Sequence, residues 1–159
     1  MILVTLGTQK FAMNRLVEAM DKLAAKLKGE EVFIQTGNST FKPVNCQYSQ
    51  FVDSSEFKKM IEECSLLITH AGVGSIMTGI NAGKPVIVVP RLKKYGEHVD
   101  DHQTQIAKAF CDKGCVICCE DVSQLRECID KAQNGYTFKP YTAPDRKIED
   151  IILDFMKKL

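Results

Sequence analysis

The chain lacks most of the features that would assign it quickly to a class. It has no excess of charge: 21 Lys and Arg stand against 20 Asp and Glu, for a formal net charge of +1. That balance leaves no basic stripe of the kind a nucleic-acid-binding surface needs, and no general attraction to an anionic membrane. No apolar run approaches the ~18–20 residues that span a bilayer. Met1 is followed directly by a strand-like run, with no basic segment and no small-residue cleavage site, so a secretory leader is not expected. There is no internal repeat, low-complexity segment or Pro/Gly/Ser-rich linker. Seven cysteines are an odd number without framework spacing, and the expectation is reduced thiols in a cytosolic protein. Cys111, Cys115, Cys118 and Cys119 invite a metal or redox reading, but Cys118 and Cys119 would point to opposite faces of one strand. Buried free thiols fit that better than a shared metal.

What is present is an alternation. Short, unbroken apolar runs (Ile2–Leu6, Glu31–Thr36, Leu66–Thr69, Val86–Val89, Val116–Cys119) fit strands buried on both faces, and Cys46–Val52 is a weaker sixth. Between them lie amphipathic helices. One spans about 13–28, with Leu16, Val17, Met20, Leu23 and Leu27 at three- and four-residue spacing, ended by Gly29. Another opens at Asp53, with Glu56 three positions on as in a capping box. Others run from near Gly74 to Gly83, from Asp101 to Lys113, and through Val122, Leu125, Ile129 and Ala132. A last one, 144–159, carries Ile148, Ile151, Ile152 and Phe155 and either covers the sheet or docks a partner. Strand–helix alternation of this length predicts an α/β class: one Rossmann-like domain over 1–159, a six-stranded parallel sheet in the order 3-2-1-4-5-6. In that order strands 1 and 4 are neighbours at the point of reversal, where open α/β sheets bind ligands. The loops there are Gly7-Thr8-Gln9 and His70-Ala71-Gly72-Val73-Gly74-Ser75.

Gly72 and Gly74 let backbone approach a ligand closely, and the following helix offers unpaired N–H groups, which suits a phosphate or pyrophosphate. Ser75 adds a hydroxyl. The same turn also serves as a plain packing corner. It is neither the G-x-G-x-x-G dinucleotide fingerprint nor a Walker loop. The second strand ends in Thr36-Gly37 without an acidic residue, which argues against a Rossmann oxidoreductase. The polar run Arg91 to Gln103 reads either as a ligand-binding loop or as a solvated loop with a charged helix start. His102 and Gln103 in a first helical turn can hydrogen-bond sugar hydroxyls.

Taken together, T-H-A-G-x-G-S (Thr69–Ser75), A-G-K-P-x-I-x-V-P (Ala82–Pro90) and D-H-Q (Asp101–Gln103) resemble the nucleotide-sugar half of GT-B glycosyltransferases, and more narrowly the C-terminal domain of glycosyltransferase family 28. The run P-R-x-x-K-Y-G-E-H-V-D-D-H-Q (Pro90–Gln103) is similar to that of the small subunits of split bacterial capsule and exopolysaccharide glycosyltransferases, relatives of the soluble subunit of the eukaryotic two-part N-acetylglucosaminyltransferase of the dolichol pathway. The resemblance implies a donor-binding, catalytic subunit that moves a hexose or N-acetylhexosamine from a UDP-sugar to a lipid-linked saccharide, with a membrane-anchored partner supplying the acceptor half. A non-catalytic nucleotide-sugar-binding regulatory subunit is the alternative. It further implies a cytoplasmic protein held peripherally at the inner membrane face through that partner, no nucleic acid, and no metal or other cofactor. No spaced Asp-x-Asp element is present; Asp100 and Asp101 are adjacent. By the resemblance, Gly72, Val73, Gly74 and Ser75 would bind the diphosphate, with Gly7 and Thr8 on the facing loop. His102 and Gln103 would face the sugar beside Asp101, while Arg91, Glu97 and His98 would belong to the donor pocket or the partner interface. His70 is the nearest candidate base in this chain, although a histidine at a strand end is also a common structural group. Thr78 stands where many relatives carry a ribose-binding Glu, so ribose recognition would need other groups.

Overall fold

The computed structural model describes residues 1–141 together with Leu153. Apart from Leu153, the expected helix over 144–159 therefore lies outside the described residues. Six strands, β1 (Ile2–Thr5), β2 (Val32–Gln35), β3 (Gln47–Ser49), β4 (Leu66–His70), β5 (Val86–Val89) and β6 (Ile117–Cys118), form one sheet in the order β3-β2-β1-β4-β5-β6. All pairings are parallel, with Ile2 opposite both Val32 and Leu66, Leu67 opposite Val86, and Ile87 opposite Ile117. Both the strand set and its order match the sequence expectation.

The near-pure apolar character of the central strands follows from burial on both faces. Ile2, Val4, Leu66, Ile68, Ile87 and Val89 point into one layer of core, with Leu16, Val17 and Met20 of α1 (Asn14–Ala24) and Leu125 and Ile129 of α5 (Leu125–Gln133). Leu3, Leu67, Val86 and Val88 point into the other, with Ile61 of α2 (Ser54–Glu63), Ile76 of α3 (Val73–Asn81), and Ile106 and Phe110 of α4 (His102–Asp112). Right-handed crossovers dictate this division: connections running leftward from β1 pass over one face and those running rightward from β4 over the other. Each fully buried Leu or Ile contributes roughly 1.5–3 kcal/mol, so a polar residue at Leu67 or Ile68 would break the core on its side.

Details depart from the periodicity where local backbone chemistry intervenes. Regular α1 stops at Ala24, and the chain turns through Lys26 and Leu27, both bonded to Leu23 O, before Gly29 at φ +77. Val122 belongs to a short 3₁₀ turn (Val122–Gln124), capped by the Asp121 carboxylate, that precedes α5. The β2–β3 connection has no helix; it is pinned to α1 by Asp21, which is buried and accepts from the backbone N–H groups of Val44 and Asn45. Cys118 and Cys119 do face opposite ways: Cys118 Sγ reaches Ala107 O of α4, and Cys119 packs in the α1/α5 layer. All seven thiols are free.

Candidate functional site

The carboxyl ends of β1 and β4 open on the crevice where the strand order reverses. Gly7 follows β1 with φ +69, its N–H donating to Thr5 Oγ1. Gly72 follows β4 and is the N-cap residue of α3. It supplies no side-chain acceptor, so the first-turn N–H groups, at Val73, Gly74 and Ser75, are left uncapped at the positive end of the helix. Nothing stands within 4 Å of where a Cβ on Gly74 would be, which leaves open space over this turn. Gly79 has the opposite reason: a Cβ there would come within 2.7 Å of Leu67 and 2.8 Å of Val86, so its absence lets α3 lie close on β4 and β5. Thr78 turns its hydroxyl back on its own helix, donating to Gly74 O at 2.7 Å.

Behind the turn lies a buried polar cluster. His70 ends β4 with 4% of its surface exposed. Its Nδ1 receives Arg91 Nε at 3.4 Å and lies 3.1 Å from Gln103 Nε2. Its Nε2–Cε1 edge faces Gly7 and Gly72; a Cβ on either glycine would collide with the ring. Burial, and then the positive charge of Arg91, pull the imidazole down to about 3, so it is neutral at ordinary pH and a weak proton acceptor. Arg91 is 1% exposed and acts as a hub: Nη2 donates to Leu6 O at 2.6 Å, and Nη1 to Phe11 O at 2.8 Å and Glu97 O at 3.2 Å. Burial lowers its guanidinium to about 10, which still leaves it charged at neutral pH. Gln103 reaches back from the first turn of α4, and its Oε1 accepts from Ala71 N at 3.2 Å and Arg91 N at 3.0 Å. One side chain thus ties together the ends of β4 and β5.

The loop after β5 is held from two sides. Glu97 is 2% exposed, accepts from Leu92 N, and forms a two-pronged pair with Arg15 of α1, Nη2–Oε1 2.9 Å and Nε–Oε2 3.1 Å. Arg15 also donates to Pro90 O and lies under the Tyr95 ring, 4.9 Å from its centroid. His98 Nδ1 is 3.1 Å from Asp100 Oδ1, which also accepts from His102 N at 3.0 Å. The Asp100 carboxyl sits below the usual range: desolvation pushes it up, but the His102 N–H and the two imidazoles outweigh that. Asp101 is exposed and accepts from Lys93 N at 2.9 Å.

The structure therefore sorts the residues named from sequence into two sets. Gly7, Thr8, Gly72, Val73, Gly74, Ser75, His98, Asp101 and His102 keep some surface at the carboxyl edge of the sheet. Arg91 and Glu97, expected in the donor pocket or at the partner interface, and Gln103, expected to face the sugar, are buried and bonded to protein groups, and their polar atoms hold the loop ends together. Arg15 escaped notice in the sequence. Its only signal is a basic residue beside an apolar stripe, and its carboxylate lies 82 positions away. A groove of about 690 Å³ between α2 and α3, floored by Phe57 and Ile61, is separate from the crevice. Among the described residues, no three His, Cys, Asp or Glu side chains gather as a metal site, and no helix is long and apolar enough to cross a membrane.

The model of the family described as glycosyltransferase family 28 C-terminal domain matches residues 1–158. A UDP-N-acetylglucosamine transferase subunit ALG13 from Debaryomyces hansenii is 33% identical over 87 residues, covering 54% of this chain and 40% of that protein. The human protein of the same name is 29% identical over 126 residues, covering 74% of this chain but 11% of its own length. The chain thus spans well under half of these curated relatives. Among solved structures, the glycotransferase of kitacinnamycin superposes with a TM-score of 0.64 at 17% identity, covering 99% of this chain and 38% of that one. The MurG of Acinetobacter baumannii gives 0.58 at 21% identity, with 99% and 49% covered. A solution structure of ALG13 gives 0.52 at 16% identity, with 98% and 96% covered. At these identities the likeness concerns the fold.

Proposed function

The chain belongs to the glycosyltransferase family 28 C-terminal domain family, and from that premise we propose that it is the donor-binding, catalytic subunit of a two-part glycosyltransferase. It takes a UDP-sugar carrying a hexose or N-acetylhexosamine. The sugar passes to a lipid-linked saccharide held by a membrane-anchored partner, in glycan, capsule or exopolysaccharide biosynthesis at the cytoplasmic membrane face. The observation that carries this reading is the uncapped glycine start of α3 at the β1/β4 reversal, backed by the buried charge of Arg91. Departure of the nucleotide diphosphate places negative charge at that point, and outward N–H groups plus the positive helix end are already aimed at it. That arrangement stabilises the leaving group without a metal. The sugar extends towards Asp101 and His102 at the start of α4. The acceptor hydroxyl needs a general base, and a buried imidazole near pKa 3 does not suit that task; the base comes from the acceptor half.

Calorimetric titration with UDP and UDP-sugars, with and without the cognate partner, tests the reading. Saturable UDP binding by the chain is expected, with sugar transfer only when the partner is added and undiminished in EDTA. Absence of binding at millimolar nucleotide in both settings overturns it. Binding without transfer in the reconstituted pair indicates the non-catalytic regulatory subunit instead.

A further inference from the structure

The buried cluster determines which nitrogen of His70 carries the proton. Arg91 Nε is always a donor, and it points at His70 Nδ1. The Gln103 amide cannot be turned round, because its Oε1 already accepts two backbone N–H groups, from Ala71 and Arg91. Its NH₂ therefore faces the same Nδ1. Two donors converge on one ring nitrogen, which must be the acceptor; in a neutral ring the proton then sits on Nε2. That nitrogen lies on the edge facing Gly7 and Gly72, two of the glycines of the crevice, where side chains would displace it. The charge facing the ring is that of Arg91, which opposes a second proton, and His98 is the other titratable group near it.

We propose that Arg91 and Gln103 are positioning residues that lock His70 as the neutral Nε2–H tautomer. The crevice then presents a fixed N–H donor, not a base, to an oxygen of the bound nucleotide diphosphate. The ligand in this statement rests on the nucleotide-sugar reading; the tautomer does not. Gln103 is thereby assigned an action through His70 in place of direct contact with the sugar, and the requirement for glycine at both 7 and 72 acquires a reason.

Two-bond ¹H–¹⁵N spectra of the full chain with ¹⁵N-labelled histidine read the tautomer directly, without ligand. The expected spectrum has a pyridine-type Nδ1 and a pyrrole-type Nε2 for His70, unchanged from pH 8 down to pH 5. A protonated Nδ1, or titration near the ordinary histidine value, overturns the lock. Gln103→Glu keeps one oxygen for the two backbone N–H groups and turns a second oxygen towards Nδ1, so the proton is expected to appear on Nδ1. An unchanged wild-type-like pattern in that variant also overturns the role of Gln103. Adding UDP should shift the His70 Nε2 resonance and leave Nδ1 nearly still. If the free-chain spectrum is as expected but millimolar UDP moves nothing, the nucleotide-sugar reading and the diphosphate contact fail while the lock stands. If UDP binds to a chain whose His70 carries its proton on Nδ1, the lock fails and the reading stands.

Discussion

The helices α2 and α3 start at the same carboxyl edge of the sheet and pack on the same face, yet their first turns are finished differently. At α2 the sequence closes its own helix: the Asp53 carboxylate accepts from Glu56 N at 2.8 Å, and everything involved is local and exposed. At α3 the cap position is Gly72, with no acceptor of its own. Behind it sits a buried network of His70, Arg91 and Gln103 drawn from three parts of the chain. A helix start left open to solvent loses stability relative to a capped one. One left open over a crevice, with a buried cation beneath, is suited to receive an anion from outside the chain. The contrast separates a helix end closed by its own sequence from one left open over the crevice.

The most damaging way to break the contrast is Arg91→Met. It leaves the carbonyls of Leu6, Phe11 and Glu97 without their donor in a dry site, and urea unfolding should show a loss of ~3–5 kcal/mol. UDP affinity should fall with it. Acid breaks the contrast next. The folded imidazole of His70 lies near pH 3, against an ordinary 6.5 once unfolded. Between those values the unfolded chain binds a proton that the folded chain refuses. The stability in question is thus complete above about pH 6.5 and lost as pH falls towards 3, with a slope of up to ~1.4 kcal/mol per unit. Comparing wild type with His70→Gln in urea melts at pH 7 and pH 4.5 should isolate a difference of about 2–3 kcal/mol. The gentlest test exchanges the two helix starts. Asp53→Ala should lower the urea midpoint slightly and leave UDP titrations unchanged. Gly74→Ala meets no neighbour and adds helix propensity, so stability should hold or rise by up to ~1 kcal/mol. Its methyl group enters the open space above the turn, and UDP affinity should drop roughly tenfold, equivalent to ~1.4 kcal/mol. Equal effects of the two substitutions on UDP binding would erase the distinction.

The sequence showed the closed helix end more clearly than the open one. Asp53 with Glu56 is a pattern complete within four residues, and the structure repeats it. Gly72 and Gly74 marked the open end, but a glycine turn reads equally as packing, and Gly79 shows that packing is a real use of glycine in this very helix. The buried network was legible only in part. His70 stood out at the end of a strand, and Arg91, Glu97 and Gln103 in a polar run that read either as a ligand-binding loop or as a solvated one. The solvated reading does not hold for Arg91, Glu97 and Gln103, because a polar group can be buried once every donor and acceptor finds a partner, and those partners are not neighbours in sequence.

What the sequence determined by itself is the sheet and its order. Five short apolar runs and a weaker edge run, mostly separated by amphipathic helices, admit right-handed parallel crossovers and few alternatives, because burying both faces of a central strand requires an unbroken apolar pattern that is visible one residue at a time, while the edge strand Gln47–Ser49 stays largely exposed. What only the tertiary structure decided is which charges lie inside. Arg91 is buried because Leu6 O and Phe11 O, 85 and 80 positions away, arrive to accept from it, and Glu97 because Arg15 reaches it across 82. Desolvating a charge is unfavourable until those partners are all in place together, and no stretch of the chain contains them together.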